Sequence, residues 1–417
     1  MSQQLLVIGG GAAGFFCAIN AARMNPRLQV TILEKNSKLL SKVKVSGGGR
    51  CNITHACSDI AEMSKKYPRG GNFIKKTFHQ FFTTDTIEWF EQRGVKVKTE
   101  EDGRMFPVTD SSQTIVDCLM SEANKYGVKV RTNVEVKRIS VHPDSYQDSF
   151  FSVECLNGET LSADFVCIAC GGYPKSSLFE WLRELGHSIE EPVPSLFTFN
   201  MPKHPITKLM GVSVENAIVK IIGTKLEQEG PLLITHWGLS GPAVLKLSAW
   251  GARQLATDNW QFSIVINWLP EHNEQSLQSV FQSLRFENAA QKIISRNPFG
   301  IPQRLWEFLL EHTEVNKEKR WADLPVKEQN KLIRSLCAGE FAIKGKTTFK
   351  EEFVTAGGIN LNEVDANTMM SKKIPNLFFA GEILNVDGIT GGFNFQHAWT
   401  SGYIAAKNIT LKSPEAT

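Results

Sequence analysis

Neither sign of charge dominates this chain: 46 Lys and Arg face 43 Asp and Glu, a formal charge of +3. So small an excess exerts little pull on nucleic acid or acidic lipid, and no nucleic-acid or membrane partner is expected. Cysteine is sparse, with eight residues in 417 and no repeated pairing, which excludes a disulfide scaffold. No HExxH, paired CxxC or carboxylate cluster occurs, so no metal site is expected. Long apolar runs are also missing, with one apparent exception. Met1 to Ala22 carries no charge, but Gly9, Gly10, Gly11 and Gly14 interrupt it, and MSQQ lacks the positive start of a leader. These absences point to a soluble, reduced, cytoplasmic protein. With 42% hydrophobic and 21% charged residues it is globular, and its length suits two or three domains.

What is present begins with Leu5-Leu6-Val7-Ile8, then a glycine cluster, helical spacing over Ala12–Met24, and Val30-Thr31-Ile32-Leu33. Strand, turn, helix and strand in about 30 residues make a βαβ unit and imply a parallel sheet. A helix is expected over Thr114–Tyr126, and strands at Val128–Arg131 and Glu135–Ile139. Asn157-Gly158 predicts a hairpin between Phe151–Leu156 and Thr160–Leu161. Asp164–Cys170 reads as a buried strand ending in Gly171-Gly172. Cys167 and Cys170 point to opposite faces of such a strand, which argues against a disulfide. After Glu191-Pro192-Val193-Pro194 the style shifts to short β-like pieces and then helices. It returns to the opening style at Leu377-Phe378-Phe379-Ala380. A nucleotide-binding domain built from residues 1–194 and 351–417, with 195–350 inserted, is the simplest organisation. The insert divides into β pieces at 195–270 and 340–350 and a helical part at 271–339.

Gly9-x-Gly11-x-x-Gly14 suits a tight turn, a close approach to pyrophosphate and tight helix packing, with free N–H groups at the start of Ala12-Ala13. Glu34, 20 residues past Gly14 and followed by Lys35, can accept from both ribose hydroxyls and would repel a 2′-phosphate. FAD or NAD is therefore expected rather than NADP. Ser46-Gly47-Gly48-Gly49-Arg50-Cys51-Asn52 supplies a second glycine run for close backbone approach or an anion nest. Lys42 is placed four residues before it on the same face of an extended run, and Arg50 is a candidate for binding a phosphate or carboxylate. Near the far end, Gly381-Glu382, Asp387-Gly388 and Thr390-Gly391-Gly392-Phe393-Asn394 lead into a terminal helix over about Asn394–Ile409. A second helix N-terminus suits the pyrimidine edge of an isoalloxazine, where reduction places negative charge. That feature favours FAD over NAD. Thr235-His236-Trp237-Gly238 makes His236 a candidate acid or base, beside the plainer reading of a loop histidine with a structural hydrogen bond. Gly345-Lys346-Thr347 lacks the upstream glycine of a phosphate loop, so ATPase chemistry is rejected.

GGGAAG, SGGGRCN, THWGLSGP, FVTAGG and GEILNVDGITGGFNFQ together resemble the bacterial flavoproteins labelled NAD(P)/FAD-dependent oxidoreductases. That family is also called aminoacetone-oxidase-like FAD-binding enzymes and includes bile-acid-pathway reductases. The resemblance runs from residue 5 to about 407. It implies an α/β fold: a two-dinucleotide-binding-type, Rossmann-like FAD domain with an inserted β-barrel and helical domain, and FAD held non-covalently. By motif, Gly9, Gly11, Gly14 and Glu34 would hold the ADP moiety. Lys42, Ser46, Gly47, Gly48, Arg50, Cys51 and Asn52 would line the flavin side, with Cys170 and Gly171 nearby. Gly381, Glu382, Asp387, Gly391, Gly392, Asn394 and Phe395 would complete it. Two departures occur: Leu40-Ser41 replaces the family's Gly-Arg before Lys42, and Tyr173-Pro174-Lys175-Ser176-Ser177-Leu178 replaces a Ser/Thr/Gly-rich stretch.

An FAD-dependent oxidoreductase acting on a small organic substrate, with hydride moving to or from flavin N5, is the leading expectation. His236 and Arg50 are its candidate catalytic residues. No second GxGxxG follows a strand, so NAD(P)H would dock only transiently as a donor. The alternatives are an NAD(P)H-dependent flavin reductase and a flavin module serving an RNA or protein partner, the latter supported only by 13 basic against 8 acidic residues over 281–350.

Overall fold

The structure is a computed structural model and describes residues 3–142, 150–295, 297–347 and 354–412. The chain divides into two compact units, Met1–Ser195 with Lys350–Thr417, and Leu196–Phe349. The expected 350/351 boundary and Phe353 of FVTAGG lie outside the described residues.

The first unit is built on a five-stranded parallel sheet in the order Leu377–Phe379, Phe165–Ile168, Gln4–Ile8, Gln29–Glu34, Lys129–Thr132. The central strand is buried along its apolar run, with Leu5, Leu6, Val7 and Ile8 all buried; helix Ala12–Met24 packs against it, and so does Thr160–Ala163 of a three-stranded antiparallel sheet. Register follows the strand lengths, with Leu5 opposite Phe165 on one side and Val30 on the other. Helix Ala12–Met24 packs along the terminal helix Phe393–Lys412; Gly402 permits it, since a Cβ there would sit 2.7 Å from the Ala13 carbonyl oxygen. Phe16, Trp89, Phe90 and Trp399 fill the space between these helices and Thr83–Glu91. The Asn157-Gly158 hairpin forms, Gly158 taking φ +86° between Phe151–Cys155 and Thr160–Ala163.

The second unit carries a seven-stranded sheet ordered Gly339–Lys344, Gln261–Asn267, Ser213–Ile221, Glu227–Ile234, Gly238–Ser240, Thr198–Asn200, Lys346–Thr347. Its two edge strands are consecutive in the chain and interrupted only at Gly345, at φ +99°. The Gly345 N–H donates to Trp260 and its carbonyl accepts from Asn200, so the ladder closes on itself as a barrel and leaves no open edge. The bend that looked like half a phosphate loop is thus the barrel's closing corner. Helices Glu274–Glu287, Gln303–His312 and Val326–Ala338 follow the stripes of Leu305, Phe308, Leu309, Ile333 and Leu336, all buried.

Among the described residues no helix is long and apolar enough to cross a membrane. All eight cysteines are free. Cys17 and Cys167 are both buried.

Candidate functional site

The first glycine turn is shaped by contacts that exclude any side chain. A Cβ on Gly9 would lie 2.4 Å from the Ala169 carbonyl oxygen, and one on Gly14 would lie 2.0 Å from the Gly9 oxygen. Gly11 faces open space, so its backbone is free to meet a ligand at the start of the helix that Ala12 and Ala13 open. Glu34 ends the second strand. One carboxylate oxygen accepts from the Gly10 N–H at 2.9 Å, and the other from the Asn36 N–H and side-chain amide, each at 2.9 Å. That grip orients the carboxylate and leaves acceptor capacity for ribose hydroxyls. Lys35 is exposed, its ammonium 5.4 Å from the Tyr173 ring centre. Burial pushes the Cys170 thiol up to about 11, and Tyr173 opposes that shift. Gly171, at φ +77°, opens onto free space.

The second glycine run differs from expectation in its lead-in. Lys42 to Val45 is helical rather than extended; helix Ser41–Gly49 breaks at Ser46, Gly47 and Gly48. Lys42 and Ser46 still share a face, through the four-residue repeat of a helix. Gly47, Gly48 and Gly49 all adopt left-handed backbone, and Gly48 and Gly49 have nothing where a Cβ would go. Arg50 is committed to its own unit: its guanidinium meets Glu100 at 2.5 Å and Asp110 at 3.6 Å and lies 4.0 Å above the Phe106 ring. With two carboxylates already on it, Arg50 serves the loop's architecture better than an incoming anion. Cys51 is fully buried, its thiol pushed up to about 12, and is no nucleophile.

The second run and the far glycine turn come together. A Cβ on Gly392 would lie 2.5 Å from the Thr54 carbonyl oxygen and 2.8 Å from Asn52 Oδ1. The Thr54 hydroxyl donates to Gln396 Oε1 at 2.6 Å, and Asn52 Oδ1 accepts from the Met105 N–H. Asn394 clamps the turn: its amide donates to the Gly388 carbonyl at 2.9 Å while its oxygen accepts from the Gly388 N–H at 2.8 Å. Phe393 is buried beneath Tyr67, whose hydroxyl donates to the Phe393 carbonyl at 2.6 Å, and Phe395 lies along Trp399. Gly381 rests on Ala13, where a Cβ would come within 2.8 Å of the alanine methyl. The turns at the two ends of the sheet's chain order therefore lie side by side.

Glu382 accepts from Lys42 Nζ at 2.5 Å and from the Thr355 N–H at 2.8 Å. Asp387, by contrast, is wholly buried and bound by Arg69 and the Ser195 hydroxyl. Burial pushes its carboxyl up and Arg69 opposes that shift. Arg69, Tyr67, His55 and His397 were not singled out in the sequence, since each is an isolated residue outside a recognisable spacing. His397 donates from Nε2 to the Gly381 carbonyl at 3.2 Å, and burial holds its pKa down at about 4, so it is neutral. Among the described residues, the Thr355 hydroxyl, Asn385 Oδ1 and His397 Nδ1 are buried without a partner, all on or beside the segment that carries Glu382.

His236 belongs to the second unit. It is exposed in the three-residue connection between Glu227–Ile234 and Gly238–Ser240, its ring centre 3.8 Å from that of Trp237.

The description "HI0933-like protein Rossmann domain" matches residues 3–408. The chain is 29% identical to the 3-dehydro-bile acid delta(4,6)-reductase of Clostridium scindens, over 96% of this chain and 97% of that protein. It is 30% identical to the ribosomal RNA dihydrouridine synthase of Escherichia coli, over 97% of each. Among solved structures, the open conformation of a flavocytochrome c3 fumarate reductase has the same fold, with a TM-score of 0.52 at 16% identity over 98% of this chain and 78% of that one. The 3-ketosteroid delta1-dehydrogenase of Sterolibacterium denitrificans also shares it, with a TM-score of 0.52 at 11% identity over 98% and 99%. Matched over nearly its whole length, with the paired glycine turns in place, the chain belongs to the HI0933-like family of Rossmann-domain proteins.

Proposed function

We infer that this protein is an FAD-dependent oxidoreductase, and that its first unit holds the cofactor without a covalent bond. The observation that supports this reading is that one unit holds two helix-opening glycine turns, one beside Glu34 with Gly381 resting on its Ala13, and the other at Gly391–Phe393 with Gly392 against Thr54 and Asn52 of the second glycine run. The residues present fit the group. Glu34 suits the ribose, the open backbone at Gly11 the pyrophosphate, and the start of the terminal helix the pyrimidine edge. Gly48, Gly49 and Gly171 each leave open space where a Cβ would stand, and the buried partnerless atoms around Glu382 suit a polar ligand. FAD, once bound, supplies two-electron hydride chemistry with NAD(P)H as a transient donor. This chain's residues place it, shield it and hold the charge of its reduced form.

The relatives' names narrow the reaction. A delta(4,6)-reductase acting on a 3-dehydro bile acid and a synthase of dihydrouridine both describe saturation of a ring carbon–carbon double bond conjugated to a carbonyl. We assign the same class here: reduction of a ring alkene activated by a carbonyl. The near-neutral charge spoke against a nucleic-acid partner, but a 30%-identical relative named for ribosomal RNA removes the force of that argument.

The test is anaerobic. Protein reconstituted with FAD and reduced by NADH or NADPH is mixed with a cyclic enone, a 3-oxo-4-ene steroid acid and a ribosomal RNA transcript. Reoxidation of the flavin with a saturated product in one arm supports the assignment. Uptake of FAD with no reoxidation in any arm rejects the alkene class, and no uptake rejects the flavoenzyme.

A further inference from the structure

His55 follows the second glycine run by three residues and sits on the short strand Thr54–His55, paired in antiparallel register with Arg104–Pro107. The neighbouring strand makes room for its ring: Gly103 takes φ +84°, and a Cβ there would come within 2.7 Å of His55 Nε2. On its other side the imidazole stacks on Phe393, ring centres 4.7 Å apart and planes 29° apart. Its Nδ1 lies 3.1 Å from the Gly391 carbonyl oxygen. A carbonyl can only accept, so Nδ1 carries the proton of that bond.

The peptide between Gly391 and Gly392 is planar and trans, so fixing its carbonyl fixes the N–H on the opposite side. That N–H belongs to Gly392, whose carbonyl accepts from Gln396 N at 3.0 Å as the terminal helix opens, which leaves the N–H without a helical acceptor. Gly391 at φ +134° and Gly392 at φ +92° are both in conformations where backbone can swing easily. A hydrogen bond to a carbonyl also polarises the amide that shares its plane, making the N–H a stronger donor. One side chain from outside the helix thus sets both the direction and the strength of the N–H that opens it.

We propose that His55 is a positioning residue that tunes the protein's hold on reduced relative to oxidised flavin, by aiming the Gly392 N–H through the Gly391 carbonyl. This rests on the reading of the site as an FAD site. It concerns a residue that the glycine motifs do not include, acting through the backbone rather than by touching the reacting atoms.

The experiment measures the two-electron midpoint potential of FAD-loaded wild type, H55A, H55F and H55N. Phenylalanine keeps the stack on Phe393 and removes the donor. Asparagine keeps a donor where Nδ1 is and removes the ring. Loss of the donor weakens binding of the reduced form relative to the oxidised about tenfold, which for a two-electron couple is a midpoint lower by about 30 mV. H55A and H55F are expected to shift together while H55N stays with wild type. A wild-type potential in H55A and H55F, or an equal shift in all three variants, overturns the proposal. A second readout needs no variant: the ¹⁵N resonance of His55 Nδ1 in wild-type holoprotein is expected to move when the flavin is reduced, and an unmoved resonance overturns the proposal. Absence of FAD uptake by wild type would reject the cofactor reading itself, whereas uptake with unmoved potentials rejects only the role of His55.

Discussion

Asp387 shows what a buried charge does at the scale of one residue. Its carboxylate, sealed from water, is tolerable because Arg69 and Ser195 bind it; removing the arginine leaves an uncompensated charge in a dry place. Arg69→Met is expected to lower unfolding free energy by about 3–5 kcal/mol, and Arg69→Met with Asp387→Leu to recover much of it, as read by denaturant titration. Glu34 is the opposite case, a half-buried carboxylate whose bonds to Gly10 and Asn36 fix its orientation. Glu34→Gln is expected to weaken FAD binding about tenfold with little change in stability, measured by titration of the apoprotein. Glu34 was legible in the sequence because its spacing from a glycine turn is fixed by one helix and one strand. The partners of Asp387 and Arg50 were not, because Arg69, Glu100 and Asp110 arrive through folding rather than through spacing. The side chain of Asp387 is bound by Arg69 and Ser195, and that of Arg50 is paired with Glu100 and Asp110.

At the scale of elements, the terminal helix ties several parts of the first unit together. It packs on Ala12–Met24, carries Gln396 to Thr54, and holds the turn at Gly381 with His397 and Ser401. Its first residues depend on Gly392 being glycine. Gly392→Ala places a methyl 2.5 Å from the Thr54 oxygen at a left-handed φ, and is expected to abolish retention of FAD while the second unit stays folded, read by flavin absorbance alongside circular dichroism. His397 and His187 give the first unit a pH signature. Burial holds both pKa values at about 4, against about 6.5 in an unfolded chain. Between those values the unfolded chain binds protons that the folded one refuses, so stability falls as pH drops from about 6.5 toward about 4 and levels off below. Melting temperature against pH is expected to show that slope, and His187→Asn to flatten part of it. The βαβ opening, the helix Ser112–Lys125, the Asn157-Gly158 hairpin and the terminal helix were all legible from local periodicity and turn chemistry. The barrel's closure at Gly345 was not, because strand partners far apart in sequence leave no local trace.

The whole molecule is two units on one chain, the first assembled from both of its ends and the second from a single continuous stretch. A ligand confined to the first stabilises only that one. At a concentration one hundred times its dissociation constant, FAD is expected to add about 2.7 kcal/mol to the first unit and leave the second unchanged, so calorimetry should resolve a transition that moves with FAD and one that does not. The claim beneath every functional statement is spatial: the cofactor spans from Glu34 to the start of the terminal helix. A crystal structure of the protein with FAD tests it most directly. Adenosine ribose is expected on the Glu34 carboxylate and the flavin's pyrimidine edge against the Gly391–Phe393 backbone. Density for FAD elsewhere, or crystals grown in saturating FAD that show none, would contradict it.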